Sequence, residues 1–157
     1  MASRSAQVDD LAEAFVSASR ALLGIAIRSV EAADVPVTVP QHRVLVLLDT
    51  EGAMTVGEVA SLLGVNQSNA SRICDRLQKL GLVRRRRPAE DGRVVLVDLE
   101  AEGKRVVDAV TALRRTEVAK VLGEMSLERA DAARAALEAF DDAARERDDE
   151  RRLFAGT

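Results

Sequence analysis

Between residues 38 and 81 the chain starts and stops helices three times in close succession, and few folds accept boundaries that dense. Thr38-Val39-Pro40-Gln41 has the form of a capping box. The Thr38 hydroxyl can accept from the N3 amide while Gln41 reaches back, and Pro40 sits in the first turn, where its missing donor costs nothing. Val44, Leu45 and Leu48 give this short helix an apolar face, and Gly52 is placed to end it. Thr55-Val56-Gly57-Glu58 repeats the signature, with Val59, Leu62 and Leu63 directed inward and Gly64 just past the end. Asn66 then caps a third helix, whose buried stripe is Ala70, Ile73, Cys74 and Leu77 and whose stop is Gly81. The joint Gly64-Val65-Asn66 is a turn of about three residues containing glycine, the sequence form of a helix-turn-helix.

Leu82 to Arg87 and Arg93 to Leu99 are β-biased and flank Pro88-Ala89-Glu90-Asp91-Gly92, whose Pro and Asp-Gly suit a hairpin loop. A helix-turn-helix followed by a two-stranded hairpin predicts a winged helix. Long helices bracket it. From Val8 to Val30 the apolar residues recur at helical spacing over about five or six turns, ending before Pro36. Val106, Val107, Val110, Leu113, Val118, Val121 and Leu122 mark another helix. After Ser126, the residues Ala130, Ala133, Leu137, Phe140 and Ala144 mark a last one, with a charged tail expected to fray. The expected fold is mainly α: an N-terminal dimerisation helix in residues 1–36, a winged helix-turn-helix in 37–99, and C-terminal dimerisation helices in 100–157. The middle segment is too small to cover both sets of flanking stripes, which predicts a homodimer built on them rather than an intramolecular bundle.

Several function classes are excluded by what the chain lacks. One cysteine and one histidine leave no disulfide framework and no His/Cys metal site, so no cofactor is expected. With no Gly-rich phosphate loop and no carboxylate cluster, an enzyme is not expected. Aromatics make up only 2% of residues, which disfavours recognition of single strands by base stacking. No secretory signal is read at the N-terminus, and the apolar runs are far shorter than the roughly 20 residues of a membrane span, so a cytoplasmic protein with no membrane partner is expected.

The formal charge of −3 taken alone argues against nucleic acid, but the charge is unevenly distributed. Between Asn66 and Arg93 there are eight basic residues (Arg72, Arg76, Lys79, Arg84, Arg85, Arg86, Arg87 and Arg93) against three acids (Asp75, Glu90 and Asp91). That stretch carries +5 and the rest of the chain −8. On the third helix, the residues opposite the core are Ser68, Arg72, Asp75 and Lys79, flanked by Gln67 and Ser71 on one edge and Asn69 and Arg76 on the other. Amides pair with adenine, guanidinium with guanine, and hydroxyls with phosphate or base, which is what reading a major groove requires. Alternation sends Arg84 and Arg86 to one face of the hairpin and Arg85 and Arg87 to the other, so only some of them are expected to meet DNA. Arg93 at the wing base is placed for a minor groove or phosphate. The rival reading of the same surface is a winged module that binds an acidic protein.

These residues resemble the MarR family of bacterial transcriptional regulators. The resemblance runs from Pro40-Gln41-His42-Arg43-Val44-Leu45 through Thr55 to Val65 and Ser71 to Leu77, then Gly81 to Arg85, and closes on Glu90-Asp91-Gly92-Arg93, similar to the family's D-x-R wing signature. It implies a homodimer placing two recognition helices in successive major grooves of a pseudo-palindromic site. The protein would act as a repressor released by a small-molecule effector. DNA contacts would fall to Gln67, Ser68, Asn69, Ser71, Arg72, Arg76, Arg86, Arg87 and Arg93, while Asp75 and Asp91 position the wing, Asp75 by pairing with Arg93. The family usually opens the helix after the wing with Thr or Ser, whereas Leu99-Glu100-Ala101 puts Glu at that cap. No Tyr or Trp is present to line an aromatic-acid crevice. Some relatives sense oxidants through cysteine, which makes a thiol-responsive regulator the alternative for Cys74. Its place on the buried stripe favours a core hydrophobe. His42 is expected on the polar side of its helix, as surface filler.

Overall fold

A computed structural model describes the backbone of residues 4–88, 93–126 and 128–155, and side chains within those spans up to Arg145. The elements are α1 (Arg4–Glu31), α2 (Val39–Glu51), β1 (Met54–Thr55), α3 (Val56–Leu63), α4 (Gln67–Lys79), β2 (Val83–Arg86), β3 (Leu96–Leu99), α5 (Ala101–Gly123) and α6 (Ala130–Ala155). The chain divides into two compact units, Met1–Val118 and Ala119–Thr157.

The helix boundaries fall where the capping residues put them. Thr38 Oγ1 accepts from the Gln41 amide at 3.4 Å and the Thr38 amide donates to Gln41 Oε1 at 2.8 Å, closing the first box. Gly52 follows α2 with φ +85°, and its amide donates to the Leu48 carbonyl. α1 begins four residues before the first apolar position of its stripe, and α6 continues through the charged tail to Ala155 where fraying was expected.

The expected antiparallel pair β2 and β3 is extended by a short third strand into a sheet of order β1-β3-β2. The two-residue strand β1 pairs Met54 with Val97 and Thr55 with Leu96. β2 pairs Val83 with Leu99, Arg84 with Asp98, Arg85 with Val97 and Arg86 with Leu96. Cross-strand partners share a face, so Val83, Arg85, Val97 and Leu99 lie on one side and Arg84, Arg86, Leu96 and Asp98 on the other. The regular wing strands are shorter than the β-biased runs that contain them.

The core of the first unit gathers Val44, Leu45, Val59, Ala70, Leu77, Leu82, Val97 and Val110, all fully buried, with Val30 and Val37 from the end of α1 and the turn after it. α5 joins this core through Val106, Val107 and Val110. Its first turn approaches the wing so closely that only glycine fits: a Cβ on Gly103 would collide with the Leu82 carbonyl oxygen and lie 2.7 Å from Leu99 Cδ1. That same carbonyl accepts the Glu100 amide at 3.0 Å, tying the start of α5 to the start of β2.

His42 is not on a polar surface. It is buried at 5% exposure, and its Nε2 has no hydrogen-bond partner. Burial lowers its pKa from the ordinary histidine value, and the charge of Arg114 on α5 adds to the effect. Arg114, whose charge adds to that effect, lies 72 residues further along the chain, so the sequence around His42 does not announce its environment.

Candidate nucleic-acid interface

The helix-turn-helix joint is made by two caps. Gly64 adopts the left-handed conformation, φ +68° and ψ +35°, and its amide reaches the Ala60 and Ser61 carbonyls. An L-residue with a side chain rarely adopts that conformation. Two residues later Asn66 Oδ1 accepts the Asn69 amide at 2.9 Å and opens α4. On the other side of α3, the Thr55 amide and hydroxyl both donate to Glu58 Oε2, at 2.7 and 2.8 Å, and Thr55 Oγ1 accepts the Glu58 amide at 3.2 Å. These bonds from Thr55 hold the Glu58 carboxyl below its usual pKa.

α4 buries Ala70, Cys74 and Leu77 and leaves Gln67, Ser68, Asn69, Arg72, Arg76, Gln78 and Lys79 exposed, with Ser71, Ile73 and Asp75 half-buried. With 13 residues it is about 20 Å long. An open cleft of about 980 Å³ lies between its first turns and the wing. Thr55, Val56 and Gly57 line it from the start of α3, and Gln67, Ser68 and Ser71 from α4. Arg85, Arg86 and Arg87 line it from the outgoing wing strand, and Arg93, Val94 and Val95 from the returning one. The cleft therefore gathers six of the sequence-derived contact residues: Gln67, Ser68, Ser71, Arg86, Arg87 and Arg93. Asn69, Arg72 and Arg76 stand on the exposed surface of α4 outside it. Asp91 lies outside the described residues.

The wing arginines divide as alternation required. Arg85, on the Val97 side, pairs with Asp75 of α4, Nη2 to Oδ1, at 2.6 Å. The resemblance implied Arg93 as the partner of Asp75; the ion pair that the structure gives this carboxylate is with Arg85, one strand earlier. Asp75 still joins recognition helix to wing. On the other side, Arg84 Nη2 and Arg86 Nε both donate to Asp98 Oδ2, at 3.2 and 3.0 Å, and Arg84 Nε lies 3.6 Å from Glu100. Burial works against ionisation of Asp98, but the hydrogen bonds and charges of Arg84 and Arg86 outweigh it and bring its pKa below the usual value. Sequence reasoning missed Asp98 because its role depends on strand register, which the hairpin sequence does not reveal.

Cys74 is 1% exposed. Burial pushes its thiol pKa up, against the opposing field of Arg85. A buried thiol held protonated is a poor nucleophile and a poor oxidant sensor, and it packs as a small apolar side chain.

Residues 35–94 match the family model described as MarR family. The chain is 33% identical over 101 residues to the HTH-type transcriptional regulator Mb0904 of Mycobacterium bovis, an alignment covering 64% of this chain and 71% of that one. Among solved structures it resembles RV1404 from Mycobacterium tuberculosis, with 38% identity, a TM-score of 0.77, and coverage of 87% and 93% of the two chains. It also resembles a MarR family protein from Bacillus stearothermophilus, with 26% identity, a TM-score of 0.77, and coverage of 91% and 99%. The matches to two Bacillus subtilis regulators are shorter, spanning about half of each relative, 43% and 54%. The chain belongs to the MarR family of helix-turn-helix transcriptional regulators.

Proposed function

We propose that this chain is a homodimeric regulator that binds double-stranded DNA at a pseudo-palindromic site and acts as a repressor released by a small-molecule effector. The observation that carries the DNA reading is the cleft in which Gln67, Ser68 and Ser71 of α4 face Arg86, Arg87 and Arg93 of the wing. The first turn of α4 enters a major groove, where amide and hydroxyl groups discriminate base edges. Arg72 and Arg76 flank it for guanine or phosphate, and Arg87 and Arg93 reach the adjoining backbone or minor groove. Asn69, whose amide is used by the helix cap, presents its side chain to the same groove. The amides at the start of α4 add a site for phosphate.

Support for the dimer is the apolar face left uncovered on α1, where Val8, Leu11, Val16 and Leu23 are each more than half exposed. On α6, Leu137 is likewise more than half exposed. In this reading residues 1–36 and 100–157 supply the dimer layer and 37–99 the reading head. Repression and effector release rest on the family resemblance.

The test is charge reversal. Genomic footprinting with the purified protein supplies a bound duplex, and Arg72→Glu combined with Arg93→Glu should then lower affinity for it by more than a hundredfold at constant salt. Unchanged affinity in a folded double variant refutes the DNA reading and favours an acidic protein partner. A screen of small acids for loss of binding tests the effector.

A further inference from the structure

Four consecutive arginines at the entry to a wing would attract any duplex regardless of sequence, because phosphate contacts carry no base information. The wing does not present all four alike. Arg84 and Arg86 sit on one face of β2, and Asp98 stands directly across from Arg84 and diagonally across from Arg86 on β3. A single carboxylate oxygen, Asp98 Oδ2, takes both guanidinium groups at 3.2 and 3.0 Å, and Glu100 adds a second acid within 3.6 Å of Arg84. At 24% exposure the Asp98 side chain is more enclosed than either arginine, which are 58% and 44% exposed. Arg86 nonetheless lines the cleft beside Gln67 and Ser68.

We infer that Asp98 is a specificity-determining residue: it withholds Arg84 and Arg86 from the phosphate backbone and so limits sequence-independent attraction to DNA. The inference rests on the DNA reading above. The local charge of the two arginines is offset by Asp98 and Glu100, leaving Arg72, Arg76 and Arg87 among the cations exposed for phosphate. Counterions released on binding scale with the phosphates neutralised, at about 0.9 per contact on duplex DNA, so the salt dependence of affinity counts the cations in use.

The experiment measures affinity for a random-sequence duplex across a range of salt, using the full chain. Asp98→Asn keeps the shape and removes the charge. It should steepen the slope of log affinity against log salt by about 1 to 2. Across a fourfold change in salt, the largest of these corresponds to about a sixteenfold extra change in affinity. Non-specific affinity at low salt should rise, and the ratio of footprinted-site to random-duplex affinity should fall. Adding Arg84→Gln and Arg86→Gln to Asp98→Asn should return the slope to that of the unaltered protein. With Asp98 intact, Arg84→Gln and Arg86→Gln together should change the slope by less than about 0.5, a measurement that needs no Asp98 variant to fold. An unchanged or shallower slope in Asp98→Asn, or a loss of nearly 2 from the two arginine changes alone, overturns the inference while leaving the DNA reading intact. Failure of the unaltered protein to bind any duplex at low salt overturns the reading itself.

Discussion

The winged body and the N-terminal helix both carry aliphatic residues at regular helical spacing, yet they end in opposite states. In the body, Val44, Leu45, Val59, Leu77 and Val97 lose all contact with solvent. Along α1, only Ile25, Ser29 and Val30 near its end are buried, while Val8, Leu11, Val16, Leu22 and Leu23 remain 49% to 59% exposed. The difference is one of partners. Short helices separated by tight caps fold back on one another and on a sheet, whereas a helix of 28 residues, about 42 Å long, outruns the body it leaves. Periodicity identifies the apolar face of an element without saying what covers it.

The comparison breaks most sharply at Gly103, where the body has no slack. Gly103→Ala drives a Cβ into the Leu82 carbonyl, which is backbone and cannot rotate away. A loss of about 3 kcal/mol is expected, at the upper end for overpacking. A urea midpoint unchanged from the unaltered protein would show that α5 can lift from the wing without cost.

The exposed face of α1 should respond in the opposite way, through assembly and not through the fold. Leu11 and Leu22 are 11 residues apart and so lie nearly above one another on the helix. Replacing both with Ser removes about 3 kcal/mol of apolar burial from a dimer that covers them. That raises the dissociation constant about a hundredfold. Analytical ultracentrifugation across protein concentration reads this directly, while the winged body keeps its circular dichroism spectrum. An unaltered association constant would mean that α1 does not carry the dimer.

A smaller effect separates local from tertiary stabilisation within the body. Thr55 is only half-buried, but it satisfies the Glu58 amide and holds the Glu58 carboxylate. Thr55→Ala should cost about 1 kcal/mol by chemical denaturation, the usual value of a lost N-cap. A cost near zero would assign the start of α3 to packing alone.

These contrasts also mark what could be read in advance. Thr38, Thr55, Gly64 and Asn66 announced their helix ends because capping is settled within four residues of sequence. The separation of Arg85 from Arg84 and Arg86 was legible because a strand has period two. Strand β1 was not, since Met54 and Thr55 are too few to show a period and pair with residues more than 40 positions away. Asp98 was passed over for a related reason: its meeting with Arg84 depends on how the hairpin closes. Asp75 pairs with Arg85 and not with Arg93, because the particular arginine it meets is a matter of side-chain reach across a tertiary contact.

His42 gives the subtlest handle on how tightly the body closes, because it is the only histidine in the chain. Its pKa in the folded protein is lowered, first by burial and then by Arg114. Well above pH 6.5, the ordinary histidine value, the ring is neutral in both folded and unfolded chains and acidity has no leverage on it. As pH falls below that value the unfolded chain takes up a proton that the folded chain resists, so stability drops until the folded pKa is passed. Asp98 and Glu58, with lowered carboxyl pKa values, titrate in a more acidic range and leave the interval from pH 7.5 to 5.5 to the histidine. The urea midpoint should therefore fall across that interval in the unaltered protein and stay nearly flat in His42→Leu, which preserves the apolar contact and removes the titrating ring. Equal slopes in the two proteins would mean that the ring is protonated as easily in the folded body as in the unfolded chain. The surroundings of His42 would then be open to water, and the winged body would be less closed than its core residues indicate.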